Sequence, residues 1–243
     1  MKSKDNLFAD KKEIDDFTFD SKTATVFDDM VGRSVPFYPE IQRMIGEIAQ
    51  KFYVPGTNIY DLGCSTGNTI LNIANSLNEP ARFIGCDYSH SMLEKAKEKI
   101  NNNKFICDHK FEYKHFDLNE SIELDNVSVA IMCLTMQFVR PINRGRIVKV
   151  ISNALMPEGV FIMVEKVVCS SSILNRMFID FHLSFKKREG YSDLEIAQKR
   201  EALENILIPY RLEENIKLIS DAGFQNIEIF FKWYNWIGML AFK

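Results

Sequence analysis

Tyr60-Asp61-Leu62-Gly63-Cys64-Ser65-Thr66-Gly67-Asn68 is the stretch from which the rest of the chain can be read. It closes the short apolar run Asn58–Leu62, a predicted strand, and opens a helix-compatible segment, Thr69–Leu77. In an open α/β sheet, ligands bind beyond the carboxyl ends of the strands, where such a loop lies. Gly63 and Gly67 would let the backbone approach a ligand closely. The dinucleotide pattern G-x-G-x-x-G fails, because Ser65 takes the place of the second glycine and position 68 is Asn. What remains is D-x-G-x-x-x-G, a loop with no need to cradle a pyrophosphate.

Outward from this loop, strand and helix patterns alternate. Upstream, Ile41, Met44, Ile45, Ile48 and Phe52 recur at helical spacing between Pro39 and Phe52, and Pro55-Gly56 ends that helix. Downstream come a second strand at Arg82–Cys86, then a helix capped by Ser89 or Ser91 that carries Met92, Leu93, Ala96 and Ile100 on one face. Lys110–Phe116 alternates as a third strand. Val127–Leu134 is continuously apolar, as a strand buried on both faces would be. A helix over Arg144–Leu155, a turn at Pro157-Glu158-Gly159 and a fifth strand, Val160–Glu165, follow. Repeated units of this kind predict a parallel sheet with right-handed crossovers and helices on both faces.

The rhythm then breaks. Residues from about 170 to 208 are helix-compatible and charged, with a turn at Glu189-Gly190-Tyr191, and read as a helical insertion. Arg211–Ala222 is one more helix, stopped by Gly223, and Asn226–Phe231 with Asn235–Phe242 form an antiparallel edge hairpin. The fold class is therefore α/β and Rossmann-like, with seven strands, mostly parallel. Residues 1–37, polar with scattered phenylalanines, read as an arm or lid outside the core, and residues 38–243 as a single domain.

With 243 residues, 46% of them hydrophobic, the chain can bury a sizeable core, which excludes disorder and disulfide-stapled mini-proteins. A net charge of -3 argues against a general nucleic-acid binder. The five cysteines, Cys64, Cys86, Cys107, Cys133 and Cys169, make no C-x-x-C pair, and no His stands at metal-ligand spacing from them. They read as reduced thiols of a cytoplasmic protein without a metal. The charged start, Met1 to Asn6, lacks the apolar run of a signal peptide, and Val127–Val139 is too short and interrupted to span a bilayer. The expectation is a soluble cytoplasmic protein with no membrane partner.

The D-x-G-x-x-x-G loop resembles motif I of S-adenosylmethionine-dependent methyltransferases. Asp87 ends the second strand and can accept both hydroxyls of a ribose, and Asp117 follows the third strand, where such folds contact the adenine amino group. Either carboxylate alone could be a helix cap; the ordered set with the loop points to the cofactor. The reaction is less legible. No N-P-P-Y loop follows the fourth strand, where Cys133-Leu134-Thr135-Met136-Gln137-Phe138 stands instead. His90, His109, His115 and His182 read as surface or packing residues, and Lys186-Lys187-Arg188 as a solvated helix face.

Several further segments closely resemble the carboxy-S-adenosyl-L-methionine synthase family, methyltransferase-like enzymes of bacterial tRNA modification. They are Phe17-Thr18-Phe19-Asp20, Arg33-Ser34-Val35-Pro36-Phe37-Tyr38, the glycine loop, Met136-Gln137-Phe138, and Gly190-Tyr191-Ser192-Asp193-Leu194-Glu195-Ile196-Ala197-Gln198-Lys199-Arg200. The resemblance runs in order along nearly the whole chain. It implies that S-adenosyl-L-methionine is a substrate and prephenate the second one. Prephenate would lose its carboxylate and hydroxyl to give phenylpyruvate, and the carbon dioxide would be captured on the cofactor's methyl carbon through a sulfonium ylide. The product, carboxy-S-adenosyl-L-methionine, would pass to a tRNA carboxymethyltransferase acting on the wobble uridine. The enzyme itself would be a homodimer that binds no nucleic acid.

Residue by residue, the resemblance assigns cofactor contacts to Tyr38, to Gly63, Cys64 and Ser65, to Asp87 and Tyr88 on the ribose side, and to Asp117 and Leu118 on the adenine side. Cys133 stands where the family usually has an asparagine, so a side-chain amide contact is lost or taken over by backbone. Arg200 matches the arginine that holds the new carboxylate, reaching in from the neighbouring subunit. Independent chemistry agrees, since a guanidinium near a sulfonium is repulsive unless an anion lies between, and a carboxylate pairs bidentately with Arg. On its residues alone, Arg200 would read as a solvated member of a charged helix. No side-chain base is evident, which suggests that the departing hydroxide takes the methyl proton. A conventional methyltransferase acting on a small molecule or RNA, and a catalytically silent cofactor-binding partner, remain the alternatives.

Overall fold

Alternate side chains of the central strands enter two different cores, and this places the helices on both faces of one sheet. The computed structural model describes residues 3–10, 13–103, 106 and 108–243. Cys107 and the opening Met1-Lys2 of the sequence reading lie outside the described residues. The elements run α1 (Ser21–Ser34), α2 (Tyr38–Phe52), β1 (Asn58–Leu62), α3 (Asn68–Ser76), β2 (Arg82–Asp87), α4 (His90–Asn101), β3 (Lys110–His115) and β4 (Val127–Cys133). A 3-10 turn at Met136–Phe138 leads to α5 (Pro141–Ala154), β5 (Leu155–Lys166), α6 (Ser172–Arg188), α7 (Asp193–Ala202), α8 (Leu212–Asp221), β6 (Asn226–Trp233) and β7 (Trp236–Phe242).

The sheet order is β3-β2-β1-β4-β5-β7-β6. Its first five strands pair in parallel, and β7 is antiparallel to both β5 and β6. The order reverses between β1 and β4, which makes the carboxyl ends of those two strands the switch point. Tyr60, Leu62, Ala130, Met132, Phe161 and Met163 face Ile147, Val148 and Ile151 of α5 and Ile219 of α8. Ile59, Val129, Ile131, Ile162 and Val164, one position out of step, face Ile41 and Ile45 of α2 and Ile70 and Ile73 of α3. That period of two on fully buried strands is why β4 reads as one unbroken apolar run. The seven-stranded α/β architecture, the insertion α6–α7 and the edge hairpin are as the sequence predicts.

Two expectations change. The turn at Pro157-Glu158-Gly159 does not precede β5 but lies within it. Val127 pairs with Leu155 and Val129 with Val160, so the intervening residues are looped out; Glu158 takes a φ of +65° there. The aromatics of residues 1–37 are not outside the core. Phe8 and Phe17 are buried with Met30 of α1 and Ala202 of α7 in a third cluster, and Val31 and Val35 belong to the main core. An extended segment that contributes one ring at a time shows no periodicity, so its burial leaves no pattern in the sequence.

Candidate active site

A cavity of about 480 Å³ opens at the switch point. Its first wall is the glycine loop, and both glycines are needed there, though not chiefly for ligand approach. Gly63 has a φ of +83°, and a Cβ on it would lie 2.3 Å from Cγ2 of Thr135; Gly67, at +78°, faces Ala96. Close packing of the loop on the turn after β4 and on α4 is what excludes a side chain. Ser65 and Leu134 also line the cavity with left-handed backbone, φ +48° and +63°. Such strain in a non-glycine residue persists only where the surroundings hold it.

Asp87, at the end of β2, ties this wall together. Its carboxylate accepts the backbone N–H groups of Ser65 and Ser89, each at 2.9 Å. Burial raises its pKa, and these donors oppose the rise. Each oxygen keeps a further lone pair for a ribose hydroxyl. Asp117 accepts from the backbone and side-chain nitrogens of Asn119 at 2.8 and 2.9 Å and lines the cavity beside Leu118. Phe19 stands edge-on to both Tyr88, at 6.0 Å between centroids, and Phe138, at 5.2 Å, so aromatic surface lines this end, with Tyr88 still half exposed.

Tyr38, Gly63, Cys64, Ser65, Asp87, Tyr88, Asp117, Leu118 and Cys133 all line the one cavity. Asn68 donates to the Tyr38 hydroxyl at 3.4 Å, and Gln42 reaches the Cys133 sulfur at 3.5 Å. A side-chain amide therefore touches position 133 from α2. Thr66, Asn68 and Lys99 converge on Asp28 of α1, at 2.6, 3.0 and 2.9 Å, and hold the loop from its far side. Arg200 is exposed on α7 and outside the lining of its own chain's cavity, although its charge lies near enough to the cavity-lining Lys166 to lower that lysine's pKa.

Sequence reasoning left Asp61 without a role. It is buried, neither carboxylate oxygen has a hydrogen-bonding partner, and burial with the nearby Asp87 carboxylate pushes its pKa up to about 8. An orphaned carboxylate beside the glycine loop suits the ammonium of an amino-acid moiety. With the strand-end carboxylates, the residues present therefore fit S-adenosylmethionine. It sits in a strand whose five residues are all buried, which the mixed sequence Asn58-Ile59-Tyr60-Asp61-Leu62 does not announce. Glu165, at the end of β5, accepts the backbone N–H groups of Met136 and Gln137 at 2.8 and 3.0 Å and fixes the turn carrying Gln137 and Phe138. Burial raises its pKa to about 8.

The other end of the cavity is cationic, and sequence reasoning missed it. Lys166 from β5, Lys186 from α6 and Lys199 from α7 line it together with His182 and Trp236. Lys186 is 8% exposed, so the solvated-face reading of Lys186-Lys187-Arg188 fails at its first member. His182 is also buried, and its Nε2 donates to the Ser34 carbonyl at 2.9 Å. Burial and the lysines hold its pKa down at about 3, so the ring is neutral. Lys199 donates to Ser34 Oγ at 3.1 Å and lies 3.7 Å from Asp5, whose carboxylate also accepts from the Tyr191 hydroxyl and the Leu7 backbone N–H and whose backbone meets Arg33 and Asp29. Among the described residues no helix is long and apolar enough to cross a membrane, and no group of three His, Cys, Asp or Glu side chains could hold a metal.

A switch-point cavity with a D-x-G-x-x-x-G loop and successive strand-end carboxylates defines an enzyme of the S-adenosylmethionine-dependent methyltransferase fold class. The family model described as a methyltransferase domain matches residues 54–206. Solved structures agree on the fold. An O-methyltransferase family protein from Burkholderia thailandensis superposes with a TM-score of 0.67 at 9% identity, over 93% of this chain and 64% of that one. Human N-acetylserotonin methyltransferase in complex with SAM gives 0.61 at 11%, over 92% and 55%. Among curated proteins, the carboxy-S-adenosyl-L-methionine synthase of Methylococcus capsulatus is 46% identical over 99% of this chain and 100% of its own length. That of Nitratiruptor sp. is 41% identical over 99% and 98%. The chain belongs to the carboxy-S-adenosyl-L-methionine synthase family and is a transferase.

Proposed function

We propose that this enzyme converts S-adenosyl-L-methionine and prephenate to carboxy-S-adenosyl-L-methionine and phenylpyruvate, and that the product is the carboxymethyl donor for wobble-uridine modification of tRNA. One observation carries the reading: a single cavity joins an adenosyl-type end to an end walled by buried cations. A methyl transfer to a neutral nucleophile offers no reason to bury three ammonium groups near a sulfonium, since like charges repel strongly at low dielectric. A dianionic second substrate does. Prephenate loses its ring carboxylate as carbon dioxide and its hydroxyl as hydroxide, and the ring becomes aromatic. A new carbon–carbon bond joins that carbon dioxide to the methyl carbon, whose proton leaves with the hydroxide as water. When bound, S-adenosylmethionine supplies the acidified methyl group. The chain's own residues orient it through Asp61, Asp87 and Asp117 and shield it from water with Phe19 and Phe138.

In this reading Arg200 acts on the new carboxylate in a second copy of the chain. Its exposure outside its own cavity supports that arrangement. So does the outward face of α6, where Ile173, Met177 and Phe181 recur at helical spacing and Phe181 packs against Tyr234 at 4.9 Å between centroids; Ile173 is 80% exposed. The same reading puts the enzyme in the cytoplasm, in keeping with four free cysteines among the described residues, and its product goes to a separate tRNA carboxymethyltransferase.

Mass spectrometry of the nucleoside formed from S-adenosylmethionine and prephenate tests the reaction. The expected product is heavier than the substrate by one carbon dioxide; S-adenosylhomocysteine would overturn the reading. Arg200→Ala should abolish carboxylation and leave cofactor affinity within about twofold, because the guanidinium meets only the new carboxylate. Mixing it with an Asp87→Ala variant should restore activity in heterodimers. Equal loss of binding and carboxylation would remove Arg200 from the site.

A further inference from the structure

We propose that Lys166, Lys186 and Lys199 together form the seat of a small dicarboxylate co-substrate, on the β5 side of the cavity and across the switch point from Asp87 and Asp117. The proposal deepens the reaction given above, on which its choice of substrate class rests, and it assigns that substrate's two charges to named groups.

The argument begins with uncompensated charge. Buried ammonium groups are costly unless paired. Among the described residues, neither Lys166 nor Lys186 has a side-chain acceptor within hydrogen-bonding distance. Lys199 has the Ser34 hydroxyl and, at 3.7 Å, the carboxylate of Asp5. Asp5 offers one carboxylate to three amines, so with all three protonated two positive charges stand in this wall without an anion. His182 adds none, because it is neutral and committed to the Ser34 carbonyl.

The three lysines come from three different elements, the end of β5, the last turn of α6 and the last turn of α7. Lys186 nonetheless feels the charges of both Lys166 and Lys199, so the three amines converge on one region of the cavity. No glycine-rich nest or arginine fork stands among the lining residues of this end, as a phosphate would favour. Asp5, 1% exposed, closes the seat from behind. The Tyr191 hydroxyl donates to it, its backbone N–H donates to Asp29, and Arg33 lies over the Tyr191 ring at 4.1 Å. The N-terminal segment thereby completes the wall.

Trp236 lines the cavity, so its fluorescence reports occupancy. With S-adenosylmethionine present, three unreactive probes are titrated into the full chain: benzylsuccinate, hydrocinnamate and phenyl phosphate. Benzylsuccinate should bind at least about tenfold tighter than the monocarboxylate, the scale of one extra charge-assisted hydrogen bond. It should also bind tighter than phenyl phosphate. Lys186→Met should erase the preference while cofactor affinity holds, and its thermal midpoint should not fall, because a buried unpaired cation has been removed. Lys166→Gln serves as the second variant should Lys186→Met fail to fold. Equal binding of the three probes, a preference for phenyl phosphate, or a preference that survives in the variants would overturn the seat. The nucleoside mass assay keeps the two readings apart. A heavier product without dicarboxylate preference removes the seat alone, whereas preference without the heavier product leaves the seat and removes the reaction.

Discussion

One end of the cavity is assembled from neighbours in sequence and the other from strangers. At the adenosyl end, Gly63, Ser65, Asp87 and Asp117 sit at the carboxyl ends of strands or in the loops directly after them. Backbone amides and carboxylates do the holding, and the fold itself delivers them to one edge of the sheet. At the cationic end, Lys166, Lys186, Lys199, His182, Ser34 and Asp5 come from opposite extremes of the chain. They meet only because α6 and α7 fold back over α1 and the N-terminal segment. An edge common to a whole fold class serves a common cofactor; an inserted pair of helices supplies what is particular to one reaction.

The largest expected effect breaks the first end alone. In Gly63→Ala, the new Cβ meets both Cγ2 and Oγ1 of the buried Thr135, at 2.3 and 2.5 Å, so no rotamer of that β-branched side chain clears it. Left-handed backbone at a non-glycine adds about 1–2 kcal/mol and overpacking about 1–3. A loss of about 3 kcal/mol by denaturant titration is expected, with cofactor binding lost. A variant that keeps wild-type stability would show that the loop has slack.

A smaller effect separates the two ends by pH. Asp61 is held near pKa 8 by burial and by Asp87, with the Cys64, Cys133 and Tyr38 side chains around it. An ammonium ligand needs it ionised, so cofactor binding releases a proton and affinity rises from pH 6 towards 8. The lysines run the other way. Burial lowers Lys186 to about 7 and both Lys166 and Lys199 to about 8; mutual repulsion, Arg200 and Arg33 deepen the effect and Asp5 opposes it. A dicarboxylate needs them protonated, so its binding takes up protons and its affinity falls as pH rises from 7 to 9. Calorimetry of each ligand across this range should give slopes of opposite sign, each about tenfold per unit at most for one proton. Slopes of the same sign would mean that the ends do not titrate separately.

The unequal legibility of the two ends has the same origin. Glycine spacing, strand ends and buried strands leave local marks, so the loop, Asp87, Asp117 and the order of elements could be read in advance. Asp61 was in view but mute, because only burial on both faces of β1 turns it from a strand-end residue into an unpaired carboxylate. Lys186, His182 and Asp5 carry no local mark. A charge run on a helix is most often solvated, and nothing at position 5 points to position 199. Phe8 and Phe17 were misjudged for the same reason, since their burial depends on α7.

The smallest effect sharpens the contrast within that very charge run. Lys187 follows Lys186 on α6, and consecutive residues of a helix point about 100° apart. One ammonium therefore enters the cavity wall while the next, 52% exposed, reaches Asp193 at 2.6 Å across the turn to α7. Asp193 is itself 83% exposed, so solvent screens the pair and the side chains lose entropy in forming it. Lys187→Ala should change stability by no more than about 0.5 kcal/mol and leave benzylsuccinate affinity within about twofold. If Lys187→Ala instead weakened dicarboxylate binding as much as Lys186→Met, the general basicity of α6 would be the attraction. The direction in which a single lysine points would then not matter.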